Sequence, residues 1–79
     1  GMQKSAETVC YEIFREILRV ARVVDNGVLL VMASQVVVDR LLDEESCAVA
    51  DLQELVAKTL KLEVEPMYTQ EQFDVVFSG

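Results

Sequence analysis

The sequence predicts an α/β (α+β) domain: a small three-stranded sheet packed with three helices, in the order α-β-α-α-β-β. Three observations carry this reading. A long amphipathic helix opens the chain, an unbroken apolar run from Val28 to Ala33 follows an Asn-Gly break, and two strictly alternating segments, Leu60 to Glu65 and Phe73 to Phe77, lie near its end.

The elements follow in order. From Ser5 to Val24, Val9, Ile13, Ile17, Cys10 and their neighbours, out to Leu18 and Tyr11, share one arc of roughly 200°, where about 100° suffices to bury a single stripe. That breadth predicts packing on two sides, against the domain's own sheet and against something else. Ser5 suits the N-cap, and Asp25-Asn26-Gly27 suits the stop. Val28 to Ala33 has no polar alternation, which predicts a strand buried on both faces. Ser34 caps a helix from Gln35 to Asp43 with Val37, Val38, Leu41 and Leu42 inward. A charged turn, Asp43 to Ser46, leads to a helix over Val49 to Lys58 burying Val49, Leu52, Leu55 and Val56. Leu60, Leu62 and Val64 then face one side of a strand that Pro66 ends, and Phe73, Val75 and Phe77 face inward on the last strand. The short strands suit sheet edges.

At 79 residues the chain holds one domain or a piece of one, read here as a single unit over residues 1–79. Its net charge of −7 is uneven: residues 1–22 hold four basic and three acidic side chains, whereas residues 23–79 hold three basic and eleven acidic ones. Such a chain is no general phosphate binder, so any nucleic-acid contact must be local to the first helix. Cys10 and Cys47 stand 37 residues apart with no histidine in the chain, which argues against zinc and for two reduced thiols. No apolar run approaches about 20 residues, so neither a membrane span nor a signal peptide is expected.

Few residues invite chemistry. Asp39, Asp43, Glu44, Glu45 and Asp51 form an acidic cluster that suits a solvated turn, with Arg40 available to pair, better than a cation site. Arg15, Arg19 and Arg22, with Lys4 on the same arc, form a basic stripe and are the candidate RNA-contact residues. The competing reading is an exposed helix face on which Glu12 and Glu16 pair with Arg15 and Arg19 at i,i+3. Tyr68, Phe73 and Phe77 suggest stacking of bases, but the parity of Phe73 and Phe77 with Val75 places those two in the core. Cys10 lies mid-arc as a small buried hydrophobe. No catalytic residue and no metal-ligand set is expected: a P-loop, a dinucleotide fingerprint and a serine triad are all absent.

Three blocks add a resemblance. V-C-Y-E-I-F-R-E-I (Val9 to Ile17), S-Q-V-V-V-D-R-L-L-D-E-E-S (Ser34 to Ser46) and the stretch from Leu52 to Phe77 resemble, in order, the C-terminal small domain of the bacterial ribonuclease E/G family, covering Glu7 to Phe77. The resemblance implies an α/β fold likened to a KH domain, although the G-x-x-G clamp of that fold is missing here. It implies a single-strand-specific endoribonuclease of RNA processing, rRNA maturation and decay, cytoplasmic and not membrane-bound. Its catalytic core, with magnesium, and a C-P-x-C zinc segment would lie upstream and are absent here; no cofactor is expected within these residues. The small domain would organise a homo-oligomer, a dimer or tetramer, with RNA bound through the upstream core. The end of the chain soon after F-D-V-V-F favours the G branch. Two positions depart from the family pattern: Ala48, where a capping serine is common, and Ala57, where glycine usually ends the third helix. The rival readings are an RNA-contacting module using Lys4, Arg15, Arg19 and Arg22, and an unrelated stand-alone protein-interaction domain.

Overall fold

The chain's structure, a computed structural model, describes residues 4–23 and 27–78. Helix α1 spans Ala6–Ala21; Ser5 accepts the Thr8 N–H at 3.1 Å, and Glu7 sits in the positive first turn. The helix closes as the Val23 N–H reaches back to the Val20 carbonyl. The proposed stop at Asp25-Asn26, and Val24 before it, lie outside the described residues.

Strand β1, Val28–Ala33, is the middle strand of a sheet ordered β2-β1-β3. It pairs in parallel with β2, Thr59–Val64, and antiparallel with β3, Phe73–Ser78. The register sets Leu29, Val31 and Ala33 between Leu60, Leu62 and Val64 on one side and Phe77, Val75 and Phe73 on the other. This face meets the helices. Val9, Cys10, Ile13 and Ile17 of α1 join Val37, Val38 and Leu41 of α2 (Gln35–Leu42) and Leu52 of α3 (Ser46–Val56) in one buried cluster with Leu29, Val31 and Ala33.

Several expectations change. β1 is not buried on both faces: burial alternates along it, and Val28, Leu30 and Met32 are half-buried on the side away from the cluster. The broad arc of α1 packs against β3, α2 and α3 of the same chain, while Tyr11 and Leu18 at its edges stay exposed. Leu42 ends α2 facing outward at 63% exposure. Helix α3 begins at Ser46 rather than near Val49, its N-cap Glu45 makes no side-chain cap bond, and Ala48 therefore sits inside the first turn rather than at the cap. Leu55 is 73% exposed, because its position lies about 90° around the helix from the stripe of Val49, Leu52 and Val56.

Two backbone positions have positive φ. Gly27 enters β1 at φ 113°, where a Cβ would stand 2.8 Å from Phe77 Cζ. Ala57 closes α3 in the left-handed conformation at φ 57°, the place where glycine normally ends a helix.

Candidate nucleic-acid interface

The outward face of α1 gathers most of the predicted basic residues. Its start is anchored from far away in sequence: the Lys4 N–H donates to Glu71 Oε1 at 2.9 Å, and Gln70 Nε2 donates to the Lys4 carbonyl at 2.7 Å. Both backbone groups just before the helix are thus held by the connector between β2 and β3. Lys4 Nζ then reaches Glu12 Oε2 at 2.7 Å, and that hydrogen bond with its charge attraction raises the lysine pKa.

Arg19 grips Glu16 with two hydrogen bonds, Nε to Oε1 at 2.8 Å and the terminal nitrogen to Oε2 at 2.6 Å. This pair holds the Glu16 carboxyl below its ordinary value and the Arg19 guanidinium above its own. Arg15, expected to pair with Glu12, does not, because Lys4 occupies that carboxylate. Among the described residues Arg15 and Arg22 form no ion pair, and both are exposed. Seven positions separate them, so they share a face with about 10 Å between them along the axis.

An open groove of about 630 Å³ runs along this face. Arg15, Arg19 and Arg22 line it with Glu12 and Glu16, and Leu18 and Phe73 give it an apolar wall. Phe73 is half-buried against the core, as its parity requires, and also borders the groove. Parity along β3 reveals the first role. The second depends on α1 and β3 packing together across more than fifty residues of chain, which no local pattern signals. The groove can offer phosphates two guanidinium groups that form no ion pair among the described residues, and offer a base one aromatic surface. Lys4 lies beyond its lining, committed to Glu12.

The remaining candidates do not converge on chemistry. Arg40 gathers Glu7, Glu44 and Glu45 at 3.0, 2.6 and 3.1 Å, tying the α2–α3 turn to α1. Partial burial opposes the Arg40 charge, and the three carboxylates outweigh it, so its pKa rises. Two members of the acidic cluster are thereby spent on an arginine, and a third, Asp39, accepts from Gln35 at 2.8 Å. Among the described residues no three His, Cys, Asp or Glu side chains come together as a metal site requires. Tyr68 donates to Asp74, which follows Phe73 in β3 and by strand alternation points to the opposite face of the sheet, and the bond raises the Tyr68 pKa. Cys10 is buried, and desolvation pushes its thiol up to about 11; Cys47 is exposed. Among the described residues no helix is long and apolar enough to cross a membrane.

Comparison with known proteins is specific. The chain is 53% identical over 76 residues to ribonuclease G of Salmonella typhimurium (strain SL1344) and 50% identical over 76 residues to ribonuclease G of Escherichia coli (strain K12). It is 43% identical over 77 residues to ribonuclease G of Haemophilus influenzae. Each alignment takes in 96% of this chain and 16% of the relative, so the chain spans about a sixth of the length of the curated relatives it matches. No family model matches the chain.

Proposed function

The chain is homologous over nearly its whole length to a segment of ribonuclease G, and we propose that it is the small domain through which a ribonuclease G-like endoribonuclease joins its subunits into a dimer or tetramer. In this reading the whole enzyme cuts single-stranded RNA in the cytoplasm during RNA processing, rRNA maturation and decay. Catalysis and the main RNA grip belong to the rest of the polypeptide. In the same reading any magnesium and zinc of the whole enzyme belong to the rest of the polypeptide.

The observation that supports assembly is the uncovered face of the sheet. Val28, Leu30 and Met32 of the middle strand, with Val76 beside Leu30, lie opposite the helices, flanked by Lys61, Glu63 and Asp74. A parallel strand pair is normally covered on both faces, and the unbroken apolar sequence of β1 fits such covering. From strand spacing and rise the face measures roughly 300 Å², well short of the ~800 Å² per partner of a standard interface. The 79-residue chain alone should therefore associate weakly, while the full-length enzyme adds further contacts. Light scattering on the full-length ribonuclease tests the reading: Leu30→Lys with Met32→Lys should shift it to a smaller assembly, and an unchanged mass would sink the idea.

A second reading, local contact with RNA at the α1 groove, is favoured by Arg15 and Arg22, which form no ion pair among the described residues. It does not compete with assembly, because the groove and the open sheet face use different residues.

A further inference from the structure

We propose that the α1 groove is a binding site for a short stretch of single-stranded RNA, about three nucleotides, with Arg15 and Arg22 holding phosphates and Phe73 taking one base. This rests on the RNA-contact reading and specifies its ligand. The two arginines leave the helix about 10 Å apart along its axis, a spacing from which their long side chains can reach two phosphates of one extended strand. Arg19 stands between them, already held bidentately by Glu16 at 2.8 and 2.6 Å. A phosphate entering there must compete with a carboxylate, so Arg19 contributes less than its neighbours. Glu12 also borders the groove, but its charge is countered by Lys4 at 2.7 Å.

The apolar wall decides the class of nucleic acid. Leu18 and Phe73 lie on the same groove as the cations, and an unpaired base can turn its face to an aromatic side chain while its phosphate meets an arginine. A duplex keeps its bases stacked inside and presents phosphates and sugar edges, which would leave Phe73 unused. The domain's net charge of −7 keeps the affinity low. A weak site suffices when the rest of the enzyme already holds the strand, since tethering raises the local concentration.

The test is fluorescence anisotropy of the chain with a labelled single-stranded oligouridine and with a duplex of equal length, from about 20 to 200 mM salt. Single-strand binding should show a log–log salt slope near −1.4, for about two neutralised phosphates. Arg15→Ala with Arg22→Ala should weaken it about tenfold or more, and Arg15→Lys with Arg22→Lys should restore most of it. Thermal melts confirm that each variant is folded. The chain has no tryptophan, so Phe73→Trp supplies a single reporter whose emission should be quenched when a base stacks on it. Binding without quenching overturns the role of Phe73. Binding that ignores the double arginine variant overturns the site. A duplex bound as tightly as the single strand, and lost in that variant, leaves RNA contact standing but overturns the single-strand groove. No binding at the lowest salt overturns both.

Discussion

The N-terminal half of the chain is packed and the C-terminal half is draped over it. Among the described residues, ten of the eleven buried hydrophobic residues fall between Val9 and Leu41, and α3, β2 and β3 supply just one, Leu52. The inward residues of the edge strands, Leu60, Leu62, Val64, Phe73 and Val75, are only partly buried. The difference follows from topology. β1 is the middle strand, so its inner face is roofed by helices and walled by both neighbours, whereas β2 and β3 each have one neighbour within the described sheet. Stability is thus concentrated in α1, β1 and α2, and local opening should begin in α3 and the edge strands. Both proposed surfaces span the two halves: the open sheet face joins β1 to Val76, and the α1 groove borrows Phe73.

The sharpest way to break this comparison is to remove equivalent side chains from each half. Ile13→Ala, at 0% exposure, should cost about 3–4 kcal/mol. Leu62→Ala, on an edge strand and half-buried, should cost about 1–1.5 kcal/mol. Denaturant titration of the two variants measures both, and equal losses would mean that the halves form one uniformly packed core.

Next in size is Gly27→Ala, at the entry to β1. Its φ of 113° lies where side chains are strained, and the added Cβ meets the Phe77 ring. Phe77 is 39% exposed and can swing outward, so the backbone dominates and the loss should be about 2 kcal/mol. The same substitution placed on a Phe77→Ala background should keep most of that cost. If the cost vanishes there, packing of the C-terminal strand over Gly27, rather than φ, sets the requirement.

A pH experiment probes the packed half directly. Cys10 is fully buried, its Sγ faces the Val37 carbonyl at 4.0 Å, and burial raises its pKa from 9.0 to about 11. Above pH 9 the unfolded thiol loses its proton while the folded one keeps it, so stability is intact below about 9 and declines toward 11. The stability advantage of the wild type over Cys10→Ala should shrink by on the order of 1–2 kcal/mol across that window. A constant difference would show that water reaches the thiol.

What the sequence made legible tracks the same division. The 3.6-residue period of α1, the apolar run of β1, the Ser34 cap and the alternation of both edge strands are each local and strong, and the structure repeats them except at Phe77, expected in the core by parity but 39% exposed at the end of an edge strand. The start of α3 was hidden because Glu45 makes no side-chain cap bond, leaving no signal before Ser46. Leu42 and Leu55 are hydrophobic yet exposed, Leu42 because it is the last residue of α2 and Leu55 because it lies off the buried stripe of α3, and hydrophobicity by itself does not separate such positions from core ones. At the groove the arginine stripe was plain from spacing, but its chemistry depended on remote partners. Lys4 takes Glu12 because Gln70 and Glu71 position its backbone, which frees Arg15, and β3 brings Phe73 to the same surface. Such pairings are set by the fold and leave no periodic trace.

The smallest expected effect sharpens the comparison by repairing the weaker half. Ala57 ends α3 at φ 57° and ψ 37°, a conformation that costs an L-residue roughly 1–2 kcal/mol and glycine nearly nothing. Glycine also loses more chain entropy on folding, by about 0.5–1 kcal/mol, which offsets part of the relief. Ala57→Gly should therefore stabilise the chain by about 0.5–1 kcal/mol. If α3 and β2 open before the rest, their amides should gain protection from hydrogen exchange while those of α1 and β1 change less. Equal slowing everywhere would instead mean that the chain opens as one unit, and that the sparse burial of its C-terminal half does not give it a separate, lower stability.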